Sequence, residues 1–115
     1  MLYEKVGGQA AVAKLVEAFY DRVLADPLIN GFFEQVDMEA QRRHQTAFIA
    51  FALGGPEYTG RSMAQAHAGM NLQPEHFGAV AGHLVAVMQE AGLEHADINE
   101  VVARVSTLKD AILYK

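Results

Sequence analysis

Residues 37–53 read DMEAQRRHQTAFIAFAL, and this stretch decides the fold. Asp37 suits an N-cap, because its side-chain oxygen can accept from the free backbone N–H groups of a first helical turn. Gly54-Gly55-Pro56 follows as a stop signal. No strand-like alternation lies between them, so a helix from Asp37 to Leu53 is predicted. Its inner stripe at the C-terminal end is Phe48, Phe51 and Ala52. Counting back from Phe48 by threes and fours gives Gln45, His44 and Gln41. Three polar side chains therefore fall on a face that should be core. An unpaired buried polar group costs about 1–3 kcal/mol. Either that end of the helix meets solvent, or it lines a cavity whose contents need hydrogen bonds.

Outward from this helix the same periodicity recurs. Val12, Leu15, Val16, Phe19, Val23 and Leu24 predict an amphipathic helix from Gln9 to Asp26, stopped at Asp26-Pro27. A short helical turn is expected over 29–33. Met63, Ala66, His67 and Met70 mark one face of a short helix after the loop 56–60. Pro74 opens another helix, with the stripe Phe77, Val80, Ala81, Leu84, Met88 and Ala91, ended by Gly92. The last helix carries Ile98, Val101, Val102, Val105, Leu108 and Ile112. The expected class is all-α, one domain over residues 1–115, without internal repeats.

Composition narrows the function. Of 115 residues, 51% are hydrophobic and 20% charged, which excludes a disordered chain. The longest apolar run, Ala47 to Leu53, is far short of the roughly 20 residues that span a bilayer, so no membrane partner is expected. The net charge of −5, with no Lys/Arg cluster beyond Arg42-Arg43, argues against nucleic acid. No cysteine is present, which removes disulfides, thiolate zinc sites, iron–sulfur clusters and Cys nucleophiles. With no signal peptide visible in MLYEKVGG, a cytoplasmic location is expected.

His67 sits on an otherwise apolar face, where a hydrogen-bonded core histidine is the bland reading. Tyr20 lies on the core edge of its helix, where most tyrosines reach solvent with the hydroxyl. One cavity would account for all these residues together. An isolated imidazole on one side and a Tyr/Gln/His cluster on the other describe a haem pocket, with a proximal ligand and a polar distal side. Phe19, Phe32, Phe33, Phe48, Phe51, Phe77 and methionines such as Met63 are available to pack the porphyrin, although any helical domain of this size needs a similar stock for its core. Arg42 and Arg43 read most simply as solvated charges. One of them, or Arg61, could instead reach a haem propionate. His76 and His83 read as surface histidines, and His95 as solvated. No Glu-x-x-His pair supports a di-iron site.

These residues also carry a resemblance. LYEKVGG, FYDRVLAD, Phe32-Phe33 before Asp37-Met38, LGGPEYTGRSM, and AHAGMNL around His67 occur in one order over almost the whole chain. In this arrangement the sequence resembles the truncated (2/2) haemoglobins, in particular group I. The resemblance implies a shortened globin fold, two helix pairs sandwiched around haem b. It matches His67 to the proximal iron ligand and Tyr20 to the tyrosine that hydrogen-bonds oxygen. It matches Phe33 to the haem-stacking phenylalanine, and Gln41, His44 and Gln45 to distal positions facing the pocket. In some cyanobacterial members a histidine at the position of His44 is a sixth iron ligand. Certain members also attach haem covalently through a histidine in the last helix. Here no histidine follows His95, so non-covalent haem is expected. The implied function is reversible binding of O2, NO and CO, with conversion of nitric oxide to nitrate supported by an unidentified reductase. The alternative is a non-enzymatic oxygen carrier, store or sensor. A monomer is expected.

Overall fold

Val12, Leu15, Val16, Phe19, Tyr20 and Val23 recur along one face of a helix, and all six are buried. Burying each large apolar side chain contributes about 1.5–3 kcal/mol, so this face anchors the core. The molecule is a computed structural model that describes residues 2–54, 69–107 and 109–114. Within these, α1 spans Leu2–Lys5 and α2 spans Gly8–Leu24. A 3-10 turn covers Asn30–Phe33, and α3 is Met38–Ala52. After residue 69 come α4 (Pro74–Glu90), α5 (His95–Ser106) and α6 (Lys109–Ile112). No strand occurs among the described residues, only an isolated bridge between Leu72 and Leu113. The short helix expected around His67 lies outside the described residues.

α2 packs on α3, and α4 packs on α5. The two pairs meet through α2 against α4 and α3 against α5, which is the two-over-two arrangement. The corner between α2 and α3 is built locally. Asp26 Oδ1 accepts from the Leu28 N–H (3.0 Å), and Asn30 Nδ2 donates to the Leu24 carbonyl (3.1 Å). This turn buries Ile29 and delivers Phe32 and Phe33 in the 3-10 segment. Gly7 enters α2 with φ 115°, and a Cβ there would stand 3.0 Å from Ala11 Cβ. Only glycine takes that conformation without strain.

Three sequence readings change. Phe51 is not core: it is 46% exposed, whereas Ile49, Ala52 and Leu53 are buried. Its face turns instead to an apolar cleft of about 510 Å³ between α3 and α5, lined by Phe48, Phe51, Ala52, Gly54, Arg104, Val105 and Thr107. His76 and His83 are not free surface groups. His76 Nδ1 accepts from the Gln73 N–H (3.0 Å) to cap α4, and its ring meets Phe32 edge-on at 5.1 Å. His83 Nε2 donates to Asp26 Oδ2 (2.7 Å), while Arg22 Nε donates to its Nδ1 (3.4 Å). This bond and the Leu28 N–H hold the Asp26 carboxyl below the usual carboxylate range. The last helix is divided, as α5 ends at Ser106 and Thr107 Oγ1 bonds back to the Arg104 carbonyl (2.6 Å).

Candidate functional site

The asparagine-and-phenylalanine turn brings Phe33 to Tyr20, ring centroids 5.7 Å apart and nearly perpendicular. Phe19 meets the same tyrosine edge-on at 5.0 Å. Tyr20 is thereby 2% exposed, with its hydroxyl inside the molecule. A buried hydroxyl needs a partner. Asp37 supplies the geometry for one: its Oδ1 accepts from the Glu39 N–H (3.1 Å) and the Ala40 N–H (3.4 Å), fixing the first turn of α3. Gln41 follows, and its Nε2 donates to the Tyr20 hydroxyl oxygen at 3.0 Å.

This bond has a directional consequence. The tyrosine oxygen is occupied as an acceptor, so its own proton is free to be donated elsewhere. Burial pushes the Tyr20 pKa up to about 12, against smaller lowering effects of the Gln41 bond and the Arg42 charge. At neutral pH the group is therefore a fully protonated donor in apolar surroundings. A chain in which Gln41 donates to Tyr20 also polarises the O–H and strengthens its donation.

The other expected residues distribute unevenly. Gln45 and Phe48 continue the Gln41 line of α3 and are half-buried. His44 is exposed on α3. Phe77 is half-buried at the start of α4, with Lys109 Nζ 5.8 Å from its ring centroid. Arg61, Met63 and His67 lie outside the described residues. Sequence reading did not single out Phe19 as the second ring against Tyr20. Arg42 was read as a solvated charge or a propionate partner, not as a residue whose Nε is buried on α3. Arg42 precedes Ile49 by seven residues, and that spacing was the available signal.

The chemistry of this donor set fits a haem. The buried O–H donor has Phe33 against its ring, and Phe48, Val80, Val102 and Val105 are half-buried apolar side chains packed on the core. Comparison with known proteins agrees. The family model for bacterial-like globins matches residues 1–114. The chain is 43% identical over 113 residues to the group 1 truncated haemoglobin of Tetrahymena pyriformis, covering 96% of this chain and 93% of that one. The chain belongs to the group 1 truncated haemoglobins. The crystal structure of the Tetrahymena pyriformis protein in its Fe(III) form superposes with a TM-score of 0.94 at 42% identity, covering 99% of this chain and 98% of that one. The 2/2 haemoglobin of a Synechococcus species, solved in the cyanomet state with covalently attached haem, gives a TM-score of 0.90 at 42% identity, with 97% of each chain covered. The protein is thus a haem globin that binds gases. No helix among the described residues is long and apolar enough to cross a membrane.

Proposed function

We propose that this truncated haemoglobin holds oxygen at a Tyr20–Gln41 distal site and converts nitric oxide to nitrate. The observation that carries the reading is the Gln41 donation to a 2% exposed Tyr20, which leaves the tyrosine proton available to a ligand. Haem, when bound, supplies the ferrous iron at which the gas is taken up and the redox chemistry occurs. The residues do the rest. Tyr20 donates to the polarised oxygen ligand, Gln41 orients that hydroxyl, and Gln45 stands one turn further along α3 as a second amide. Phe33, Phe48, Met63 and Phe77 would pack the porphyrin, Arg61 would reach a propionate, and His67 would hold the iron.

The overall change is NO plus O2 plus one electron giving nitrate. A one-electron reductant must therefore restore the ferrous state each cycle. The test is a rapid-mixing experiment in which oxygen-saturated ferrous protein meets nitric oxide. One nitrate and one ferric site per oxygen consumed are expected. Survival of the oxygen-saturated spectrum would instead favour an oxygen carrier, store or sensor.

His44 is also proposed as a sixth ligand in the gas-free ferrous protein. It is exposed on α3, three residues past Gln41, so ligation requires its side chain to turn inward. Gas must then displace it, and apparent affinity falls by the open fraction. His44→Leu is expected to speed carbon monoxide binding by the reciprocal of that fraction. A high-spin ferrous spectrum that the substitution leaves unchanged would remove His44 from the iron.

A further inference from the structure

The first turns of α3 carry a cation that the distal pair does not account for. Arg42 Nε is buried and has no hydrogen-bond acceptor among the described residues. Its backbone carbonyl accepts from Thr46 Oγ1 (2.7 Å), but its guanidinium has no carboxylate within ion-pair distance among those residues. The neighbouring Arg43, in contrast, is paired with Glu39 at 3.5 Å. Seven and eleven residues after Arg42 come Ile49 and Leu53, 2% and 1% exposed. At 3.6 residues per turn these three share one line of the helix, so Arg42 extends the buried line of α3 towards its N-terminus. It directly follows Gln41, which bonds Tyr20. Its charge reaches the Tyr20 hydroxyl, where it opposes the effect of burial.

A half-buried guanidinium with no counter-charge is costly to leave alone and attracts a negative partner. We propose that Arg42 is a third polar member of the distal site, an unneutralised cation that favours small inorganic anions over neutral ligands beside Tyr20. This rests on the reading of Tyr20 as the distal donor and names the ligand class that the site selects. Nitrate, the product of the proposed reaction, belongs to that class. The same charge favours ligands that carry partial negative charge at their outer atom.

The test uses ferric holoprotein at about pH 8, titrated with azide, an anion, and with imidazole, which is mostly neutral there. Both must displace any internal ligand, so His44 affects the two alike and cancels in their ratio. Arg42→Met and Arg42→Gln remove the charge, and Arg42→Lys keeps it. With the charge removed, the azide Kd should rise about ten-fold while the imidazole Kd moves by less than about two-fold, and lysine should restore most of the azide affinity. Equal shifts for azide and imidazole, or an unchanged azide Kd, would overturn the proposal. So would loss of the haem spectrum in both neutral variants, since Arg42 would then be a folding residue. Tyr20→Phe is titrated alongside. If it weakens azide binding while the neutral Arg42 variants do not, the distal tyrosine stands and the Arg42 proposal falls. If the Arg42 variants alone respond, the reading of Tyr20 as the distal donor falls, and with it a site that Arg42 shares with Tyr20.

Discussion

Tyr20→Phe is expected to raise the oxygen dissociation rate by roughly ten- to a hundred-fold. A hydrogen bond to a charged or strongly polarised acceptor contributes about 1.5–3 kcal/mol, and each 1.4 kcal/mol is a factor of ten. The bond qualifies for the upper part of that range for three structural reasons. Tyr20 is 2% exposed and its ring packs edge-on with Phe19 and Phe33, so water competes little for its hydroxyl. Gln41 already donates to its oxygen, which polarises the O–H and holds the ring's hydroxyl in one orientation. Burial keeps the proton on, with a pKa of about 12, so donation does not lapse anywhere near neutral pH. The phenylalanine ring preserves the contacts with Phe19 and Phe33, which confines the change to the hydroxyl. Carbon monoxide accepts hydrogen bonds poorly once bound, so its dissociation should change far less. Equal effects on the two gases would show that Tyr20 acts by sterics. An oxygen dissociation rate within about two-fold of the unsubstituted protein, well under 1.4 kcal/mol, would show that the tyrosine does not face the ligand. Because Gln41 donates to Tyr20, Gln41→Leu should move oxygen in the same direction by a smaller factor.

What the sequence could reveal depended on the range of each interaction. The Asp37 cap was legible because the bonds run only two and three residues along the chain. The α2 stripe was legible because Lys14, Glu17, Asp21 and Arg22 interrupt the apolar residues at helical spacing, which sets the phase of the helix. The phase of α3 was not. Ala47 to Leu53 is apolar at every position, and such a run does not say which side is inward. Phe51 was therefore placed in the core, although Ile49 and Leu53 occupy it. The anomaly at Gln41 was visible as a polar residue out of place. Its cause, Tyr20, stands 21 residues away and appears only when α2 packs on α3. His83 is more remote still, 57 residues from Asp26, and looked like a surface group until the corner after α2 came beside α4. At Arg61, Met63 and His67 the case rests on the order of motifs in the chain.

His67→Ala is expected to strip the protein of normally ligated haem. The chain has five histidines, and the structure gives four of them other surroundings. His76 caps α4 through the Gln73 N–H and packs on Phe32. His83 is held between Asp26 and Arg22. His95 is exposed at the start of α5, and His44 is exposed on α3 between Gln41 and Gln45. His76 and His83 could replace His67 only by breaking these bonds, and His44 and His95 are held on α3 and α5. Removing a supporting partner of a metal ligand typically costs about 10- to 100-fold in affinity, so removing the ligand itself should cost more. External imidazole should restore both haem retention and the ferrous spectrum, as it fills the space the substitution opens. That recovery separates lost ligation from lost folding, which imidazole would not repair. The unsubstituted protein should also release its haem completely into acidic organic solvent, unlike the covalently attached haem of the Synechococcus neighbour. There is no cysteine to form a thioether, and no histidine between His95 and Lys115 to reach a vinyl group. Retention of haem and an unaltered ferrous spectrum in His67→Ala would place the proximal bond on another residue.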